Sequence, residues 1–396
     1  MQMDTKSLLK MGSMNRKHFL KTLLQGSTLL SVPTFLQYCS SLPQTHLDAK
    51  ETSSDSILMH AIAYGIMAAN AHNTQPWKFR IATENELFLY VDEKRLLLQT
   101  DPSTRQIHIS QGTFLEQLQI AALAKGYLAN ITLFPEGKYP IEKVGKKPVA
   151  YIKLERLKQA SSPSPLYEMI PIRATNRSEY MGPAISSSEW KSITELVGTS
   201  YSQFHFHNLA ENIQPFVKLF SQAYTIEANT FAKNEESRIW FRYNDEEIYT
   251  KRDGISLRGN ALSGWKYWFV STFILQPGQK AWHEKSNVDA GIEIFNNALG
   301  SSKALGFLQT KENELEDWVL CGRDYSRLQL AVCKLGLVLQ PMSQILQEYP
   351  EMDRLRKEFE EMVGVQKKEK VQMIVRLGRS DYNFVSPRRK PSSMMI

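Results

Sequence analysis

Gly112-Thr-Phe-Leu-Glu-Gln-Leu-Gln-Ile-Ala-Ala-Leu-Ala-Lys-Gly126 aligns without gaps with Gly322-Arg-Asp-Tyr-Ser-Arg-Leu-Gln-Leu-Ala-Val-Cys-Lys-Leu-Gly336, at an offset of 210 residues (322 − 112). Gly112/Gly322, Leu118/Leu328, Gln119/Gln329, Ala121/Ala331 and Gly126/Gly336 are identical, and Ile120 faces Leu330. Both copies read as a small-residue helix ended by glycine. Each is followed by a β-rich run, Val149 to Leu154 in one and Val371 to Leu377 in the other. Leu and Ala recur in any amphipathic helix, but two glycines at the same spacing with a strand after each favour duplication. Two similar halves in one chain can pack as a covalent version of a symmetric dimer.

Around that repeat the chain divides into three parts. Residues 1–47 read as an export signal and linker, and 57–157 as a first α+β unit. Residues 166–391 read as a second unit, separated from the first by the Ser/Pro run Ala160 to Pro165. Within the first unit the spacing predicts a helix from Ile57 to Ala69 and strands around Trp77–Ile81 and Leu87–Val91. A long helix follows around Gln111–Lys125, with strands near Ile131–Phe134 and Val149–Leu154. The stretch 238–283 has no counterpart in the first half and is rich in aromatics, including Trp240, Phe241, Tyr243, Trp265, Trp268 and Trp282. Its composition suits a lid over a narrow aromatic pocket, and the charges between Arg242 and Asp253 argue against a bilayer contact.

At 396 residues and 42% hydrophobic content the chain buries a large core. Its 48 Lys and Arg against 41 Asp and Glu give +7, much of it at the two ends, with no basic block interleaved with stacking aromatics. That excludes a nucleic-acid reader and leaves small anionic ligands as partners. Asn15-Arg16-Lys17-His18-Phe19-Leu20-Lys21 resembles a twin-arginine export motif with Lys in the second position. The stretch after it carries Gly26, Ser27, Thr28, Ser31 and Pro33, too polar for a stable membrane span. A periplasmic protein is the expectation. Cys321 and Cys333 fall on one helix about 18 Å apart, beyond disulfide reach, and read as core thiols. His205 and His207 lie on one strand face with no nearby Cys, Asp or Glu to complete a metal set, so no metal is expected. No dinucleotide fingerprint and no nucleophile elbow is visible, so no catalytic side chain is named.

The chemistry is concentrated between residues 68 and 80, where an apolar-periodic helix breaks into Asn70-Ala71-His72-Asn73-Thr74-Gln75-Pro76-Trp77. Asn70, Asn73 and Gln75 offer neutral donors and acceptors, and Pro76 biases Gln75 toward an extended conformation. The loop suits a flat heteroaromatic ligand; on the residues alone it reads equally as a loop whose Trp77 plugs the core. Arg173 and Arg177 are four apart and would share a helix face, with Thr175 on the same turn. Ser386-Pro387-Arg388-Arg389 sets two more cations near the carboxyl end.

Asn73 to Trp77 resembles the Asn-x-Gln-Pro-Trp signature of the nitroreductase superfamily, and Arg173-Ala-Thr175-Asn-Arg177 matches the Arg-x-Thr-x-Arg motif of that family. The resemblance implies an α+β, nitroreductase-like fold. Its Acg-like branch fuses two flavin oxidoreductase-like units into an intramolecular pseudo-dimer. It implies FMN as cofactor, with Asn70, Ala71, Asn73 and Gln75 at the ring and Arg173, Thr175 and Arg177 at the phosphate. Arg388 or Arg389 would reach the phosphate as well, the sequence leaving open which. His72 could orient a substrate, and packing or exposure is its other reading. The implied activity passes electrons from a reduced donor such as NAD(P)H through FMN to a nitroaromatic, a quinone or a similar small electrophile. The alternative is a flavin-sequestering or electron-transfer protein with little nicotinamide turnover. Because the motifs are divided between the halves, one composite site per chain follows, and the single chain is the functional unit.

Overall fold

The computed structural model describes residues 46–47, 56–159, 162–274 and 278–396. The export motif, Asn15 to Lys21, lies outside these. Helix α1 (Ile57–Gly65) starts where the Ser56 hydroxyl accepts the Met59 N–H and buries Leu58, Ala61 and Ile62. An irregular loop leads to strands β1 (Trp77–Thr83) and β2 (Glu86–Val91), then helix α2 (Arg105–Ala124), β3 (Tyr127–Leu133) and β4 (Ala150–Arg156). The four strands form an antiparallel sheet in the order β1-β2-β4-β3.

The second half repeats that plan. Helix α3 (Ser187–Val197), opened by a Ser186/Glu189 capping box, leads to β5 (Gln203–His207). A long insertion then carries α4 (Ala210–Asn229), α5 (Phe231–Ile239), β6 (Phe241–Arg242), α6 (Asp245–Lys251), β7 (Ile255–Ser256), α7 (Gly264–Phe269), α8 (Gln279–His283) and α9 (Lys285–Gly300). After it come β8 (Ala304–Thr310), α10 (Leu315–Lys334), β9 (Val338–Pro341), α11 (Asp353–Val363) and β10 (Lys370–Gly378). The second sheet, antiparallel in the order β5-β8-β10-β9, matches the first strand for strand. Measured between corresponding strands, the insertion runs from α4 to α9 and is wider than the stretch 238–283 that aromatic content alone marks out.

The two halves meet along α2 and α10. A Cβ added at Gly112 would overlap the Val319 carbonyl and lie 2.9 Å from the Gly322 Cα; one added at Gly322 would overlap the Ile109 carbonyl and lie 3.0 Å from the Gly112 Cα. The contact is reciprocal at the offset of 210 residues, since 319 − 109 equals 322 − 112. Only glycine lets the backbones approach so closely. The other identical pair, Gly126 (φ 80°) and Gly336 (φ 68°), follows each helix in the left-handed conformation that ends it. Beside the crossing, Arg323 of α10 donates to Glu116 of α2 at 2.8 Å, and Arg105 of α2 reaches the carbonyls of Gln372 and Leu346. One apolar core spans both sheets and both helices; a second, around Phe216, Phe307 and Phe359, lies between α4 and the second sheet. Cys321 and Cys333 are free thiols on α10, and among the described residues no cluster could hold a metal ion. No described helix is long and apolar enough to cross a membrane.

His46 and Leu47, at the end of the segment read as signal and linker, are buried. Arg173 to Arg177 is irregular rather than helical: the Asn176 N–H donates to the Leu339 carbonyl of β9 and its side-chain amide to the Tyr382 carbonyl.

Candidate functional site

Just past the end of α1 the backbone carbonyls find partners from the other half of the chain. Arg388 donates to the carbonyls of Ile66, Met67 and Ala68, and Arg173 also donates to Met67 at 2.9 Å. Free carbonyls at a helix C-terminus carry partial negative charge, which suits two buried cations. The loop beyond is stapled to α2: the Ala71 N–H donates to the Ser110 hydroxyl, Thr113 to the Ala69 carbonyl, and the Trp77 indole to the Ser110 carbonyl. Trp77 is fully buried and does plug the core.

Three non-glycine residues of this loop, His72, Asn73 and Gln75, have left-handed φ of 48°, 52° and 53°. Such conformations cost roughly 1–3 kcal/mol each and persist only where the surroundings hold them. What holds them is the insertion. Asn73 exchanges bonds with Gly254, its amide donating to the Gly254 carbonyl and its carbonyl accepting from the Gly254 N–H, both at 3.1 Å. Gln75 donates to the Arg252 carbonyl at 2.7 Å and accepts from the Arg389 N–H at 2.8 Å. Its own N–H goes to Asn70 Oδ1, which overrides the extended conformation expected before Pro76. Asp253, paired with Arg95 and Arg242, anchors the clamping turn.

Between this loop and the second half lies a cleft of about 280 Å³. Ala69 to His72, Gln106, Ser110 and Thr113 form one wall; Thr175, Arg177, Tyr325 and the turn Gln340 to Gln347 form the other. Tyr224, Glu227, Phe241, Trp282 and Phe295 line it from the insertion. A second, more apolar chamber of about 250 Å³ adjoins it under α9, and a small polar pocket of about 40 Å³ shares Asn70, Thr175 and Arg177 with the cleft. Arg177 lines all three, and among the described residues it donates only to the Gly259 carbonyl, at 3.2 Å.

The polar pocket gathers Arg173, Arg177 and Arg388 with Asn70, Asn73 and Thr175. Burial pushes Arg173 down to about 10 and Arg388 well below its ordinary value, the latter also through Arg173 beside it. Buried atoms around the cavities lack a partner: Arg173 Nε, Asn73 Oδ1 and His72 Nδ1. Burial, with Arg177 nearby, pushes His72 down to about 4, so it is neutral at physiological pH. Burial also raises Glu227 to about 7 against the bond it accepts from Gln347.

Of the nine residues anticipated at a cofactor, seven line the cleft or the polar pocket. Gln75 and Arg389 line neither, being bound to each other and to the loop frame. Residues that sequence reasoning missed include Ser110, Thr113, Glu227 and His46; their only signal was polarity inside otherwise apolar helices or, for His46, none.

No protein-family model matches the chain. Over 87 residues it is 37% identical to an uncharacterised protein, Rv3127, of Mycobacterium tuberculosis, covering 21% of this chain and 25% of that one. Over 85 residues it is 32% identical to the protein named "Putative NAD(P)H nitroreductase acg" of the same organism, covering 22% and 25%. Over 137 residues it is 30% identical to "Putative NAD(P)H nitroreductase Rv3131", covering 34% and 36%. The chain is a sequence relative of proteins named as nitroreductases. It spans between a quarter and about a third of the length of these three relatives. Among solved structures, the FMN-dependent nitroreductase NfnB of Mycobacterium smegmatis aligns with TM-score 0.37 and 13% identity, over 58% of this chain and 96% of that one. A nitroreductase with bound FMN from Desulfitobacterium hafniense aligns with TM-score 0.32 and 13% identity, over 57% and 93%. Such loose nitroreductase superpositions assign no residue here.

Proposed function

We propose that the chain is an FMN-dependent oxidoreductase of nitroreductase type, built as two tandem units in an intramolecular pseudo-dimer with one composite site. One observation carries this reading: three guanidiniums converge on a polar pocket that opens into a cleft between the halves, beside the loop that resembles the nitroreductase signature. The partnerless Arg173 Nε and Asn73 Oδ1 fit a ligand with an anionic end and a ring carrying N–H donors. Arg177, with one weak carbonyl bond, has donors left for the phosphate, and Arg173 and Thr175 stand beside it. Asn73 offers its free oxygen to the ring. When bound, the isoalloxazine would supply hydride chemistry that no side chain here supplies. The protein's part is to fix the ring against the loop and to exclude water with Phe241, Trp282 and Phe295.

An absorption spectrum of the purified protein tests the cofactor: flavin bands are expected, and a colourless protein that takes up no added FMN refutes it. Rapid mixing of the holoprotein with NADH and NADPH tests the activity, which bleaches the flavin within turnover times if nicotinamide is the donor. A second reading, flavin storage or electron transfer with little nicotinamide turnover, is favoured by the insertion folded across the cleft. It predicts reduction by dithionite but not by nicotinamide. Export to the periplasm remains our proposal from the amino-terminal motif, and cell fractionation tests it.

A further inference from the structure

His46 is buried with both ring nitrogens against backbone carbonyl oxygens. Nδ1 lies 2.7 Å from the Ser386 carbonyl and Nε2 lies 2.8 Å from the Arg173 carbonyl. A neutral imidazole has one N–H and satisfies one of these acceptors; the imidazolium donates to both. The Arg173 guanidinium competes for Nε2, its Nη2 standing 3.2 Å away and donating there when the ring is neutral. Arg173 and His46 therefore have two arrangements. In one, Nη2 is held by the neutral ring and the Nε2 lone pair faces a carbonyl oxygen. In the other, the imidazolium donates Nε2–H to that carbonyl and Nδ1–H to Ser386, and the Nη2 N–H that faced the ring is freed while Nη2 keeps its bond to the Met67 carbonyl.

The pocket is built for what would receive it. His46, Arg173, Arg177 and Arg388 all line it, no carboxylate is among its lining residues, and Arg173 Nε is buried there without a partner. The charged groups facing the ring are Arg173, from the extended segment after the linker, and Arg388, from the carboxyl-terminal segment, with Arg177 further along the pocket. Without an anion, burial and these cations keep the imidazole neutral. A phosphate monoester bringing about two negative charges reverses that balance.

We propose that an anion entering this pocket binds together with a proton on His46, which makes His46 a proton-coupled member of the phosphate site. The inference rests on the FMN reading above. The proton comes from solvent, and no covalent bond of the phosphate is made or broken.

Calorimetric titration of the flavin-free full chain with FMN near pH 7.5, in buffers of different ionisation enthalpy, counts the protons exchanged. The FMN phosphate is already almost wholly dianionic there, its second pKa being about 6, so uptake reports on the protein. FMN should bind with uptake of up to one proton and lose affinity toward tenfold per pH unit at higher pH. Riboflavin should bind without uptake. His46→Gln, which keeps an amide donor and acceptor, should abolish the uptake. FMN binding to the wild-type chain with no proton taken up overturns the proposal and leaves the flavin reading intact, as does unchanged uptake in His46→Gln. If FMN does not bind at all, both fall.

Discussion

At the scale of single residues, the four arginines anticipated at the phosphate separate by what already holds them. Arg388 is committed to the carbonyls of Ile66, Met67, Ala68 and Ser386, whereas Arg177 has one long bond to Gly259. Arg177→Ala should therefore weaken FMN binding tenfold or more, a charge-assisted bond being worth roughly 1.5–3 kcal/mol, while sparing riboflavin. Arg388→Ala should instead lower the melting temperature of the flavin-free chain, because it uncaps α1. Fluorescence titrations of both flavins and thermal melts of both variants separate the two roles; equal loss of FMN and riboflavin affinity in Arg177→Ala would count against a phosphate contact. Glu227 makes a pH prediction. Burial raises its carboxyl from 4.5 to about 7, so between those values the native state holds a proton that the unfolded chain has lost. The stability this contributes is full below pH 4.5 and disappears as pH rises through about 7. Glu227→Gln should match the wild type near pH 5 and melt higher near pH 8, and a melting difference independent of pH would refute the assignment.

At the scale of elements, the regular parts were legible because their periodicity is local. The strand around Leu87 to Val91, the strand carrying His205 and His207, and the two glycine-ended helices stand where spacing puts them. What was not legible is fixed by partners distant in sequence. The Arg173/Arg177 spacing suggests a helix face, yet that segment is not helical, and its Asn176 bonds Leu339 and Tyr382 instead. Pro76 suggests an extended Gln75, yet Asn70, Arg252 and Arg389 hold it left-handed. The amide loop stood out by composition, but its dependence on Gly254, 181 residues away, did not. The repeat carries the clearest elemental test. Gly322→Ala pushes a methyl group into the Ile109 carbonyl of the facing helix, a backbone atom that cannot move alone. Overpacking costs typically about 1–3 kcal/mol, and here both helices must separate, so the melting midpoint should fall by several degrees. Ala at Gly336, where nothing lies within 4 Å, should cost only the strain of its left-handed φ. If the two substitutions are equally mild in denaturant titrations, the helix crossing is looser than its geometry implies.

At the scale of the whole molecule, the matched sheets raise the question of a second site at the position related to the first. The chain answers it by loop length. Between Gly65 and Trp77 the first half has room for the strained amide loop, whereas between Val197 and Gln203 the second half has only residues 198–202. That short turn is tied down, Tyr201 and Ser202 both donating their N–H groups to Asp324 of α10 at 2.9 and 2.6 Å. The segment 92–104, which brings Leu97, Thr100 and Asp101 to the cleft, is matched by only residues 311–314 after β8. The second half has instead placed its extra length in the insertion, whose Gly254 turn clamps the amide loop and whose aromatics line the cleft. The asymmetry leaves this cleft with one wall from each half. The expected stoichiometry is one FMN per chain, with the cofactor bound by the monomer and affinity independent of protein concentration. Flavin released by denaturation, quantified against protein and paired with light scattering of the holoprotein, measures it. Two flavins per chain would require a site the second half lacks the loops to build, and half a flavin per chain would mean that the cleft is completed by a second copy.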